Sequence, residues 1–93
     1  MKQTISILLN NRFNDAERLI GLFSASGYRI EKILLLNEGD KNLSRLLILT
    51  DSENKNLDNF LTRLRQQVRV VKVESIEGDV LHGRLSVSEQ LKT

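Results

Sequence analysis

Ninety-three residues suit one domain with one core, and not two lobes with a cleft between them. Fourteen Lys and Arg against 12 Asp and Glu leave a net charge of +2, too small for a strong phosphate-binding field. The absence of cysteine excludes disulfides, thiolate metal sites and thiol chemistry, and the single histidine, His82, excludes a multi-histidine metal centre.

Thr4, Ser6 and Leu8 alternate with Ile5, Ile7 and Leu9, the period of a strand with the second set turned inward. Asn10 to Asn14 form a polar turn. Ala16, Leu19, Ile20 and Phe23 then fall at i, i+3, i+4 and i+7, one stripe of a helix over about 15–26. Asn14 is the expected N-cap, Glu17 its capping-box partner, and Gly27 the expected left-handed C-terminal cap. Tyr28 to Leu36 reads as a second strand. Asn37 to Asn42 is dense in turn formers, and Leu43 to Thr50 is a third strand, hairpin partner of the second. Asp51 to Asn54 offers capping side chains. Leu57, Phe60, Leu61 and Leu64 repeat the helical spacing, for a second helix over about 54–66, and Val68 to Val73 is a fourth strand.

The order is β-α-β-β-α-β, an α+β, ferredoxin-like pattern: a four-stranded antiparallel sheet with two helices on one face. Residues 1–76 make this domain. Residues 77–93 form a C-terminal tail, either a short extra strand or disordered. Leu46 with Leu47 and Val70 with Val71 put apolar side chains on both faces of the sheet. A second apolar face points to packing on another chain. The longest apolar runs, Ile33–Leu36 and Leu46–Leu49, fall far short of the roughly 20 residues a membrane span needs, and the expected location is the cytoplasm.

Function has to be argued from sites, because this fold hosts many activities. His82 is the simplest general base, but it lies in the tail with no partner near it in sequence, so no catalytic set assembles around it. A phosphate cradle ahead of the first helix needs glycine, and Asn10-Asn11-Arg12-Phe13-Asn14 has none. RNA binders of this fold stack bases on aromatic strand residues, and the strands here offer Tyr28 alone. Arg63, Arg65 and Arg69 cluster near the end of the second helix, where the helix dipole favours them without any ligand. Neither nucleic acid nor a metal or organic cofactor is an expected partner. Residues 11–14 are the best small-ligand candidate: backbone N–H groups at a helix start receive a carboxylate, or serve as a plain capped turn.

Gly21-Leu22-Phe23-Ser24, Gly27-Tyr28, Ile30-Glu31, Leu43-Ser44-Arg45 and Val70-Val71-Lys72-Val73, with Asn11 at its distance from Gly21, together resemble the ACT domain of acetolactate synthase (acetohydroxyacid synthase) regulatory subunits. The similarity covers roughly residues 3–76. It implies a non-catalytic subunit of branched-chain amino-acid synthesis. Such subunits pair side by side into a continuous sheet, activate a thiamine-diphosphate catalytic subunit, and often bind valine or a related amino acid as feedback inhibitor. The implied effector residues are Asn11, Arg12, Phe13, Asn14, Arg29 and Ile30, with Arg29 supplied by a neighbouring protomer. Only Asn11 matches the family's effector pattern. Asn14 stands where the family has a glycine that lets the ligand reach the backbone. Arg29 stands where the family often has Asn, changing both volume and charge. Feedback binding is therefore expected to be altered or lost. The competing reading is a stand-alone ACT-type sensor of an amino acid or other small molecule.

Overall fold

The computed structural model describes residues 2–10, 13–37, 39, 42–51 and 56–81. The elements run β1 (Lys2–Asn10), α1 (Phe13–Ala25), β2 (Arg29–Asn37), β3 (Leu43–Asp51), α2 (Leu57–Arg65) and β4 (Val70–Glu77). The four strands form one antiparallel sheet in the order β2-β3-β1-β4. The ferredoxin-like βαββαβ architecture is therefore as expected.

The alternation in β1 sets the layering. Ile5 pairs with Ile48 and Ile7 with Leu46 on the face that carries the helices. All four are fully buried, with Leu9, Leu19, Phe23 and Leu64. Phe23, Tyr28 and Phe60 form the aromatic centre of this layer, with ring centroids 4.8 Å apart for Phe23–Phe60 and 4.6 Å for Tyr28–Phe60. Gly27 adopts φ 83°. Its N–H donates to Ser24 O at 3.1 Å and that of Tyr28 to Phe23 O at 3.0 Å, the paired bonds of a Schellman cap. The cap delivers Tyr28 directly beneath α1.

Burial pushes the Tyr28 phenol above its ordinary value of 10, against a smaller opposing effect of Arg63. A raised folded-state value means the folded chain holds that proton more tightly than the unfolded one. Its stabilisation is complete below pH ~10 and is lost as pH rises through the higher folded value. Since Tyr28 is the chain's single tyrosine, phenolate absorbance reports it alone. It should titrate late and together with alkaline unfolding, and Tyr28→Phe should remove that part of the stability loss.

Boundaries differ from expectation where caps and turns decide them. α1 begins at Phe13, so Asn14 lies within the helix and is not its N-cap. α2 is shorter than expected, and its N-cap is Asn56, whose side chain accepts from Asn59 N at 3.3 Å. The suggested caps at 52–54 lie outside the described residues. Val68 and Arg69 belong to a turn, and β4 starts at Val70. Val71 is the extra residue of a bulge, since Leu8 faces Lys72 while Leu9 faces Val70. This accounts for adjacent valines in one strand without two buried faces: Val71 is exposed.

The open face of the sheet is partly covered by the chain itself. After β4, Gly78 turns at φ 89° and the backbone folds back under the sheet. Thr4 Oγ1 donates to Gly78 O at 2.8 Å and accepts from Val80 N at 3.2 Å. Asp79 accepts from Leu81 N at 3.0 Å and pairs with Lys32 at 2.9 Å. This strap seats Leu81, 1% exposed, against Leu47 and Leu49, with Leu34 and Leu36 alongside. The second apolar face is thus partly occupied from within the chain. β4 runs through Glu77, one residue past the expected domain boundary. His82 and the rest of the tail, 82–93, lie outside the described residues.

Candidate functional site

β1 and β3 run in opposite directions, and β2 opposes β3, which fixes where the suspected effector residues lie. Asn10 pairs with Leu43 at one end of the sheet, and α1 begins there. Arg29 pairs with Asp51, itself opposite Lys2, at the other end. The sheet is about 25 Å long at ~3.3 Å per residue. Within one chain, then, Arg29 and Ile30 do not meet the α1 end. Arg29 is exposed, and its carbonyl accepts from Thr50 Oγ1 at 2.7 Å. Ile30 is half-buried against the core. Phe13 and Asn14 supply the first turn of α1. Asn11 and Arg12 lie outside the described residues.

A cluster that sequence reasoning missed stands at the α1 end. Asp15, 8% exposed, lies in the first turn of α1. Its carboxylate is 3.5 Å from Arg18 Nη2 and 3.4 Å from Arg69 Nε. Asp15 Oδ2 is shut off from solvent and takes no hydrogen bond from the described residues. Arg69 sits at φ 75°, a left-handed conformation unusual for a residue with a Cβ. It is held there as Asn10 N donates to its carbonyl at 3.0 Å, while Arg18 donates to Val68 O at 3.3 Å. The i, i+3 spacing of Asp15 and Arg18 was legible; the Arg69 partnership, 54 positions away in sequence, had no local signal.

The other arginines near the end of α2 have structural employment. Arg63 lies 5.8 Å over the Phe60 ring, and Arg65 donates to Val73 O at 3.3 Å. At the Arg29 end, Lys2 pairs with Glu31 at 2.8 Å, and that hydrogen bond raises the lysine above its usual value. Among the described residues no group of three His, Asp or Glu side chains is placed to hold a metal ion. No helix among them is long and apolar enough to cross a membrane.

No protein-family model matches the chain. Individual proteins do. The chain is 36% identical over 76 residues to the acetolactate synthase isozyme 3 small subunit of Escherichia coli, covering 82% of this chain and 47% of that protein. The small subunit of acetolactate synthase from Thermotoga maritima superposes with a TM-score of 0.70 at 25% identity, over 81% of this chain and 47% of the other. The chain is an ACT domain of the acetolactate synthase small-subunit type. The ACT domain of GTP pyrophosphokinase from Chlorobium tepidum shares the fold, with a TM-score of 0.63 at 21% identity over 97% of that domain. This ACT chain spans about half the length of the small subunits it matches.

Proposed function

We propose that this chain is a non-catalytic regulatory subunit of acetolactate synthase that docks on the thiamine-diphosphate catalytic subunit, raises its activity, and has an altered or lost response to branched-chain amino acids. The observation that carries this reading is the likeness to acetolactate synthase small subunits across the whole sheet and both helices.

Self-association through β2 is part of the proposal. β2 is an edge strand, and its Ile33 is 45% exposed on the helix-bearing side. The opposite edge, β4, exposes Lys72, Glu74 and Glu77, the charged side chains with which proteins guard a strand edge. In α1, Gly21 is exposed, and a Cβ there would meet nothing within 4 Å. Its own domain gives no steric reason for glycine, whereas a partner's backbone close to α1 does. A two-fold β2–β2 pairing reverses the neighbouring strand. It carries the partner copy's Arg29 and Ile30 to the end of the sheet where α1 begins, uniting the two halves of the candidate effector site.

Reconstitution tests the proposal. The cognate catalytic subunit should form acetolactate several-fold faster when saturated with this chain, and valine, leucine and isoleucine should inhibit the complex weakly or not at all. An unchanged rate at saturation overturns the regulatory reading, and tight amino-acid binding without a rate effect marks a stand-alone sensor.

A further inference from the structure

We infer that residues 82–93 continue from the strap as a helix that lies across the open face of the sheet and completes the cover the strap begins. Neither the effector site nor the acetolactate synthase reading is needed for it.

The strap ends where a helix starts. Asp79 Oδ1 accepts from Leu81 N at 3.0 Å, the bond by which an N-cap side chain satisfies the second N–H of a helix. The backbone turns helical at Leu81. Thr4 Oγ1 fixes the strap by donating to Gly78 O and accepting from Val80 N. Lys32 holds the other oxygen of the capping carboxylate at 2.9 Å. The helix start is therefore tied to β1 and β2, with Leu81 seated on Leu47 and Leu49 of β3.

Strand alternation puts Leu8, Leu34, Leu36 and Leu43 on this same side of the sheet. Leu34 stands opposite Leu47, and both Leu8 and Leu36 stand opposite Arg45, two residues after Leu43. All four are half-buried, an apolar strip running from Leu81 toward the far end of β3. From Leu49 to Leu43 it is about 20 Å long, at ~3.3 Å per residue. The chain from Leu81 to Thr93 makes about 18 Å of helix, at ~1.5 Å per residue. Helical spacing from Leu81 puts Leu85 and Ser88 on the same side, with Leu91 at its margin, and turns Gly83, Ser86 and Gln90 away. The stripe and the strip match in length and in side. A second copy fits less well: its sheet would have to lie flat at ~10 Å, and the strap's backbone over Thr4 stands in its way.

Methyl NOE spectra of the full chain test this directly. Leu85 should contact Leu36 or Leu8, and the amides of residues 84–88 should exchange at least tenfold more slowly than in an unstructured peptide. Leu85→Ala should lower the melting temperature by several degrees, whereas Ser86→Lys, on the outward side, should leave it unchanged. Gly83→Ala should raise it by a few degrees, because glycine within a helix loses more backbone entropy than alanine. A lower melting temperature in Gly83→Ala would reject the helix and the inference with it. Contacts to Leu36 that cross between differently labelled copies would give the face to a second copy and overturn the inference. So would a Leu85 without contacts to the sheet whose replacement by alanine leaves melting unaltered; binding of an apolar dye to the parent chain would then mark the face as open to another protein.

Discussion

Leu81→Ala should lower the unfolding free energy by about 2–5 kcal/mol, the range for truncating a fully buried leucine. The residue follows β4, and the sequence pattern around Gly78 and Gly83 does not mark it as core. Yet it is 1% exposed and packs against Leu47 and Leu49 on the face of the sheet away from the helices. Its removal leaves a void beside Leu47 and Leu49. Val80, its neighbour, is 39% exposed, and Val80→Ala should cost well under half as much. Urea denaturation of the two variants side by side is the measurement. Equal and small effects would mean that the strap lies on the sheet without contributing to its stability. A loss of several kcal/mol would be a large share of the ~5–15 kcal/mol available to a domain of this size.

Ile33→Lys should abolish the self-association proposed through β2 and leave the chain monomeric. The side chain is exposed on the β2 edge, and a two-fold pairing brings each copy's Ile33 toward its mate. Losing ~1 kcal/mol of apolar burial on each side is worth roughly thirtyfold in the dissociation constant, before repulsion between two new ammonium groups is added. Sedimentation equilibrium reads the shift directly. Monomer stability should change little, since the substituted position faces solvent in the isolated domain. A β4 variant, Ile76→Lys, is the control: Ile76 is 40% exposed but lies on the guarded edge, and its substitution should leave association unchanged. If both variants dimerise like the parent, self-association does not run through β2.

The layering of this domain was readable because it is local. Ile5, Ile7 and Leu9 lie two apart, and Ala16, Leu19 and Phe23 lie one helical turn apart, so each set shares a face whatever the rest of the chain does. Gly27 was equally plain, since a left-handed cap strongly favours glycine. The features that escaped are long-range. Leu81 belongs to the core only because Thr4 and Lys32 hold the strap that carries it. Asp15 is paired from beyond its own helix because Arg69, 54 positions later, stands at the same end of the sheet. Asn56, and not the residues at 51–54, caps α2, because several Asx and Ser residues stand before that helix and the one that caps it depends on where the chain enters the helix. The two halves of the suspected effector site were named together from resemblance, but strand direction alone separates them within one chain, and no periodicity carries that information.

The hydroxyl of Thr4 bonds to residues 74 and 76 positions further along, and β1, which bears it, is an interior strand flanked by β3 and β4. A ribosome delivering this polypeptide therefore releases β1, in the middle of the sheet, well before its neighbour β4 and the strap that follows it. Co-translational folding can shape the helices and the β2–β3 hairpin, but the finished domain must wait until Leu81 has cleared the exit tunnel. Until then one side of β1 is an open row of amide and carbonyl groups. Nascent chains stalled before residue 70 should accordingly be the species on which chaperones act.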